Sequence, residues 1–231
     1  MRSYGQACAL AKALDVVGDR WTLLIVRELL IRGPCRYTDL QDGLPGIATN
    51  LLGGRLRELQ EAGIVRREDA PPPIAATLFG LTPRGEALEP VLKELGRWGA
   101  PLLAGSARGD ALRAHWLALP LRFYLTDGRP RLPPATLELR AGGEAISVEV
   151  GGGTVRTRLG SAPNPDAIVT GDPRLILALL AGKLSLAKAR ASGVKYAGDT
   201  SVLRRVRPST ADGRTTRKRR PASRSRAPVA G

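Results

Sequence analysis

Cysteine and histidine are scarce in this chain. Two cysteines, Cys8 and Cys35, and one histidine, His115, occur among its 231 residues. A disulfide framework or a structural zinc site needs more of these side chains at close spacing, so we expect free thiols and neither a bound metal nor a cofactor. His115 lies in an apolar helical segment beside Trp116, which favours a packing role over general-base catalysis.

Long apolar runs and catalytic motifs are also missing. No segment approaches the roughly 18 apolar residues of a membrane span, and the first residues lack the apolar region of a secretory signal. Neither a Gly-x-Ser-x-Gly elbow nor a Gly-x-x-x-x-Gly-Lys phosphate loop occurs. We therefore expect a cytoplasmic protein that contacts no membrane and is not an enzyme.

The net charge of +15 is unevenly distributed. Residues 1–100 carry 13 Lys and Arg against 12 Asp and Glu, residues 101–206 carry 15 against 8, and residues 207–231 carry 8 against 1. The last segment lacks apolar periodicity, which predicts a disordered basic tail that either contacts phosphates non-specifically or only aids solubility. Net charge alone therefore does not demonstrate nucleic-acid binding.

Hydrophobic periodicity predicts four helices in the first part of the chain. The first covers 7–17, the second is capped by Asp19, a short third is capped by Thr38, and Thr49 opens the fourth. Short helices followed by a longer one are typical of a helix-turn-helix, whose second helix enters the major groove of DNA. The fourth helix is the candidate recognition helix, the reader of the DNA sequence.

Two strands and a fifth helix are predicted next. Residues 64–69 and 76–81 alternate as strands around a proline loop, which indicates a wing, and Thr82 caps a helix whose first residue is Pro83. The apolar stripes on the first and fifth helices present more apolar surface than a domain of this size can bury by itself. They favour burial against a second copy of the chain.

The outer face of the fourth helix is polar. Leu52, Leu56 and Leu59 share the core side, so Asn50, Gly54 and Arg57 lie opposite, with Thr49, Gly53 and Arg55 at the flanks. Asn pairs with adenine, Arg pairs with guanine or holds phosphate, and adjacent glycines indicate either close backbone approach or a weak helix. The third helix and the first wing strand contribute further candidates. The complete set of candidate DNA-binding residues is Tyr37, Thr38, Thr49, Asn50, Gly53, Gly54, Arg55, Arg57, Arg66 and Arg67.

Residues 7–99 resemble the HxlR-type family of bacterial winged-helix regulators, relatives of the MarR group. The resemblance is carried by Cys8 and by the segments 17–29, 36–40, 44–52, 55–59, 62–67, 81–85 and 96–99. It implies a homodimer joined through the first and last helices of the domain, which binds a pseudo-palindromic operator in double-stranded DNA as repressor or activator. We expect a repressor.

Two departures from the family pattern concern its cysteine and its wing. Ala9 follows Cys8 where many members have proline, and Leu78-Phe79-Gly80 stands where a tyrosine is usual. Some relatives sense oxidants through this cysteine, so one alternative is a redox-sensing regulator that acts through Cys8. The other interpretation makes Cys8 a small apolar residue in the dimer core, because a thiol reacts only where its thiolate is stabilised.

A second unit follows, with a helical segment over 111–125, alternating strands near 137–139, 146–150, 155–157 and 166–169, and helices near 173–181 and 185–191. It is similar to sterol-carrier-protein-type domains through the segments 142–146, 165–173, 179–185 and 193–199. That resemblance implies an apolar tunnel and a small apolar or lipid-like ligand that gates DNA binding. The alternative is a filled interior that only supports oligomerisation.

The sequence therefore predicts an α+β protein in three segments. Residues 1–103 form a winged helix-turn-helix for DNA binding and dimerisation, mainly α with a two- or three-stranded wing. Residues 104–206 form a sterol-carrier-protein-like domain, and residues 207–231 form a disordered basic tail. When bound to DNA, the protein is expected to associate with the nucleoid.

Overall fold

The structure, a computed structural model, describes residues 3–73, 75–105 and 110–209. The first unit contains α1 (Ala9–Val17), α2 (Thr22–Arg32), β1 (Cys35–Arg36), α3 (Tyr37–Gly43), α4 (Thr49–Glu61), β2 (Val65–Ala70), β3 (Ala76–Leu81), α5 (Pro83–Glu86) and α6 (Glu89–Gly99). A 3-10 turn at Ala100–Gly105 follows α6. The three strands pair antiparallel in the order β1-β3-β2, which confirms the winged helix-turn-helix.

The core of this unit lies beneath α4. Leu52, Leu56 and Leu59 of α4 are buried, as their helical spacing predicts, and they pack with Ile25 and Leu29 of α2. Because one face of α4 is buried in this way, its opposite face is directed outward.

Both predicted helix caps at the start of the helix-turn-helix are wrong. Helix α2 begins at Thr22, not directly after Asp19, and the Asp19 carboxylate forms an ion pair with Arg55 of α4. Helix α3 begins at Tyr37, where the backbone N–H of Arg36 donates to the Asp39 carboxylate at 2.8 Å. A tertiary ion pair and a nearer acidic side chain therefore replace the caps that local spacing predicts.

The predicted fifth helix is split in two. Thr82 accepts a hydrogen bond from the backbone N–H of Gly85 and Pro83 is the first residue of α5, as predicted, but α5 ends at Glu86 and α6 begins at Glu89. Pro90 in the first turn of α6 explains the break, since proline has no N–H to donate to the carbonyl four residues earlier.

The second unit is an α+β domain. Its helices are α7 (Ala118–Tyr124), α8 (Pro173–Leu180), α9 (Leu186–Ala191) and α10 (Thr200–Arg205), preceded by a 3-10 turn at Ala114–Leu117. Its strands are β4 (Leu125–Asp127), β5 (Ala135–Ala141), β6 (Glu144–Gly151), β7 (Thr154–Leu159), β8 (Ala167–Thr170), β9 (Lys195–Gly198) and β10 (Val206–Pro208). Strands β7-β6-β5-β8-β9 form one sheet in that order, in which β5 and β8 are parallel.

One side of this sheet is covered by helices. Inward side chains of β5 and β6, such as Leu137, Leu139 and Val148, pack against Leu121 of α7 and Ile176 of α8. The opposite side carries polar residues, as the alternation in the sequence predicts. The helix-covered side is thus a packed apolar core.

The final described residues belong to the second unit. Strand β10 pairs antiparallel with β4, and the backbone N–H of Ser209 donates to the carbonyl of Tyr124 at 2.7 Å. Arg207 and Pro208, assigned to the basic tail from the sequence, therefore lie in a strand. The rest of the predicted tail, 210–231, lies outside the described residues. Within the described ranges, no helix combines the length and apolarity needed to cross a membrane.

Candidate nucleic-acid interface

The exposed face of α4 carries side chains that the sequence predicts to contact DNA. Thr49, Asn50 and Arg57 are exposed, whereas Leu52 and Leu56 behind them are buried. The space in front of two glycines on this helix is open, because a Cβ built at Gly54 meets no atom within 4 Å and one at Gly53 meets only Arg57 at 3.8 Å. This face therefore has room for a partner's backbone.

Two hydrogen bonds from α3 hold the start of α4. The Tyr37 hydroxyl donates to the carbonyl of Thr49 at 2.6 Å, and the Gln41 side-chain amide donates to the Thr49 hydroxyl at 2.8 Å. Gln41 was not among the predicted DNA-binding residues, although its position on α3, the short helix before α4, could have indicated a role at this site. Tyr37 and Gln41 orient the end of α4 that carries Thr49 and Asn50.

The two arginines of α4 are placed differently. Arg55 forms ion pairs with Asp19 and Glu58, and 19% of its side chain is exposed. Arg57 is exposed, and no ion pair is found for it within the described ranges. Arg57 is therefore available for an external anion or base edge, whereas Arg55 connects α4 to the turn before α2.

The wing adds two further cations on β2. Arg66 lies 3.6 Å from the Glu68 carboxylate, and the Arg67 guanidinium donates to the Thr77 hydroxyl on β3 at 3.4 Å. Both side chains are exposed on β2, the strand that follows α4 in the chain. Thr38, at the start of α3, is exposed as well.

Sequence comparison assigns this unit to a family. The profile described as HxlR-like helix-turn-helix matches residues 16–106. YvaP of Bacillus subtilis, an uncharacterized HTH-type transcriptional regulator, is 37% identical over 87 residues, which are 38% of this chain and 80% of YvaP. The chain belongs to the HxlR-like helix-turn-helix family. YodB of the same organism, an HTH-type transcriptional regulator, is 34% identical over 86 residues, or 37% of this chain and 76% of YodB.

Family membership gives the first unit its function. The relatives are transcriptional regulators, a group that generally lacks enzymatic activity, so the winged helix-turn-helix is the DNA-binding unit of a transcriptional regulator. The solved structure of reduced YodB is 29% identical and covers 44% of this chain and all of that chain, with a TM-score of 0.38. Residues from Ala114 onward lie outside the family match.

The HxlR-like unit leaves two apolar stripes uncovered. Leu10 and Leu14 of α1 are exposed, as are Val91, Leu95 and Trp98 of α6. The other side of α6 is occupied by α7, since Arg122 pairs with Glu89 at 3.1 Å and the Tyr124 hydroxyl donates to the carbonyl of Lys93 at 2.6 Å. The second unit thus packs against α6, while the apolar stripes face outward.

The two thiols of the HxlR-like unit differ in environment. Cys8 is exposed at the start of α1, where the backbone N–H groups of Ala11 and Leu10 lower the pKa of its thiol. Cys35 is buried beside α2, and this burial raises the pKa of its thiol to about 12. The fraction of thiol that is ionised to thiolate near neutral pH is therefore larger for Cys8 than for Cys35, and Cys8 is the more reactive of the two.

Proposed function

We propose that this protein is a homodimeric transcriptional repressor that reads a pseudo-palindromic operator with α4. The polar outer face of α4, where Asn50 and Arg57 are exposed and Arg57 has no ion-pair partner among the described residues, carries the proposal. Thr38, Tyr37, Arg66 and Arg67 flank this face on α3 and the wing and are proposed to hold phosphates. Arg55 is proposed to position α4 through Asp19 instead of contacting a base.

The proposed dimer forms through the apolar stripes of α1 and α6. An operator with two-fold symmetry requires two readers at a defined spacing, and an apolar helix surface left in water favours a second copy as its cover. The outward position of Leu95 and Trp98, with α7 on the opposite side of α6, supports this arrangement.

Replacing Arg57 by alanine tests the reading face. We expect Arg57→Ala to weaken operator binding by about 1 to 3 kcal/mol if the guanidinium meets a base edge, because a bidentate contact is lost. The measurement is fluorescence anisotropy on an operator selected from random DNA duplexes. Lys195→Ala, which removes an exposed cation from β9, is the control and should leave the affinity within about twofold. Equal effects of both variants would contradict the face assignment.

A second candidate, redox control through Cys8, is favoured by the exposure and lowered pKa of this thiol. We expect the thiol oxidant diamide to reduce operator binding by the unmodified protein but not by Cys8→Ser. The control is Cys35→Ala, which should keep the full response because the buried Cys35 thiol stays protonated. An unchanged response in Cys8→Ser would exclude this mode of regulation.

Control by a small apolar or lipid-like ligand bound in the second unit remains a prediction. The side of the sheet covered by helices is filled by side chains of β5, β6, α7 and α8, and an open cleft beside β6 and β7 is lined mainly by polar residues such as Glu149, Arg156 and Asn164. This packing favours the alternative in which the second unit has a filled interior and supports oligomerisation.

A further inference from the structure

The open cleft beside β6 and β7, here called the polar cleft, lies on the side of the sheet opposite the helices. Strands β5, β6 and β7 form its floor, and the loop 160–166 between β7 and β8 forms one wall. Its volume is about 420 Å³. Cavities that bind small molecules have volumes of about 300 to 1,000 Å³, so the polar cleft is large enough for such a ligand.

The wall of the polar cleft is held in place by hydrogen bonds to the sheet. The backbone N–H of Ala162 donates to the Glu138 carboxylate at 2.8 Å, and that of Asp166 donates to the carbonyl of Thr136 at 2.9 Å. The backbone N–H of Thr136 donates in turn to the Asp166 carboxylate at 2.7 Å. A ligand therefore does not have to order this loop when it binds, which removes one cost of association.

The charged side chains that line the polar cleft leave one positive charge in excess. Arg156 and Arg158 are exposed on β7, two positions apart and therefore on the same face of the strand. Glu149 of β6 pairs with Arg156 at 3.0 Å, whereas no ion pair of Arg158 is found in the described part of the chain. Glu138, beneath the loop, is 1% exposed and is balanced by its ion pair with Arg140. The excess charge is thus that of Arg158.

A buried hydroxyl group faces the same space. Ser147 of β6 is 9% exposed, lines the polar cleft and lies opposite Arg158 in the register of β6 and β7. Cross-strand neighbours of this kind have Cβ atoms about 5 Å apart. Within the described residues no hydrogen bond of the Ser147 hydroxyl is found, although most buried polar groups have a partner. This donor is therefore open to a molecule in the polar cleft.

The donors of the polar cleft suit an anionic group. The guanidinium of arginine donates two parallel hydrogen bonds that match a carboxylate or a phosphate, and a serine hydroxyl supplies a third. Asn164 is exposed on the loop wall and adds a side-chain amide, which both donates and accepts. Arg158, Ser147 and Asn164 together offer several hydrogen bonds to one small polar molecule.

We propose that the polar cleft is a binding site for a small polar molecule with one anionic group, a carboxylate or a phosphate, which Arg158 and Ser147 bind. Asn164 and Glu149 contact the polar remainder of this molecule. Every described residue that lines the polar cleft belongs to the second unit, so the inference does not rest on operator binding. It gives the second unit a binding function outside the family match, on the other side of the sheet from the predicted apolar tunnel.

The first experiment is a nuclear magnetic resonance titration of the full-length, nitrogen-labelled protein at constant ionic strength. The probes are inorganic phosphate and acetate, the smallest molecules with these anionic groups, and acetamide, which has nearly the shape of acetate without its charge. We expect at least one anion to shift the signals of Ser147, Arg158 and Asn164 saturably, and acetamide to bind at least about tenfold more weakly. The anion that binds more tightly identifies the group that the site prefers. Shifts spread over all exposed arginines, or none at these three residues, would overturn the proposal.

Substitutions on the floor of the polar cleft test the two donors. Arg158→Ala should weaken binding of the preferred anion at least about tenfold, and Ser147→Ala about threefold, because a charge-assisted hydrogen bond contributes more than a neutral one. Arg158 is exposed and has no ion pair within the described ranges, so its loss should leave the fold intact. The matched control is Arg174→Ala, which removes an exposed cation from α8 on the opposite side of the sheet and should change the affinity less than about twofold. Equal losses in the two arginine variants would show attraction to the net charge alone and refute the site.

A third substitution has an expected effect of the opposite sign. Glu149→Gln removes the carboxylate that competes with the ligand for Arg156, so the preferred anion should bind about threefold more tightly. Glu94→Gln breaks a similarly exposed pair with Arg97 on α6, outside the polar cleft, and should leave the affinity within about twofold. Weaker or unchanged binding in Glu149→Gln, or the same gain in both glutamate variants, would contradict the proposed placement of the anion.

Discussion

Leu95→Glu is expected to convert the protein to a monomer and to weaken operator binding by at least about 100-fold. Leu95 lies in the apolar stripe of α6 and is 47% exposed in the single chain. In the proposed dimer, a glutamate at this position would place an unpaired charge in an apolar interface, which is costly. Without the dimer, each α4 engages one half of the operator alone, so the gain from simultaneous binding is lost.

The oligomeric state is measured by light scattering after gel filtration, and affinity by fluorescence anisotropy. Leu132→Glu is the matched control, because Leu132 is 45% exposed but belongs to neither apolar stripe and lies in the segment that precedes β5 in the second unit. It should remain dimeric and bind the operator normally. A dimeric Leu95→Glu variant with unchanged affinity would show that α6 does not form the interface.

Asp127→Asn is expected to lower the free energy of unfolding of the second unit by about 3 to 5 kcal/mol. Asp127 of β4 and Arg205 of α10 form a buried ion pair in which two hydrogen bonds measure 3.2 and 3.0 Å. Arg205 also donates to the carbonyls of Pro133 and Val150. Asparagine would leave this guanidinium buried without its counter-charge, which costs more than the pair itself contributes.

Chemical denaturation with urea, followed by circular dichroism, measures this loss. Glu149→Gln breaks the exposed pair with Arg156 in the same unit and should change the free energy of unfolding by no more than about 1 kcal/mol. Similar losses in the two variants would contradict the special role of the buried pair.

The pH dependence of this pair has a definite sign. The hydrogen bond from Arg205 lowers the pKa of Asp127 despite burial, so the folded carboxylate binds protons less readily than the unfolded one. The stability it contributes is therefore present above the ordinary carboxyl pKa and is lost as the pH falls through the lowered value. Acid denaturation of Asp127→Asn should show a smaller change over that range than denaturation of the parent protein.

Local patterns in the sequence were sufficient to predict much of the reading face. Leu52, Leu56 and Leu59 are buried at helical spacing, and Asn50 and Arg57 are exposed opposite them. The wing strands follow their alternation, and Thr82 caps α5 as its side chain predicts. These features depend on neighbouring residues, whose periodicity specifies which side of an element is buried.

Contacts between distant residues required the tertiary structure. Arg55 matches Arg57 in chemistry and lies on the same helix, yet it pairs with Asp19, 36 positions earlier. The sequence favoured a packing role for His115, but it did not show that this residue meets Glu28, 87 positions away, or Glu144. Periodicity assigns a residue to a face of its own element, whereas the partner that faces it depends on how separate elements pack. The sequence alone therefore determined the reader helix and its polar face, and tertiary packing decided which charged side chains remain free and which connect the two units.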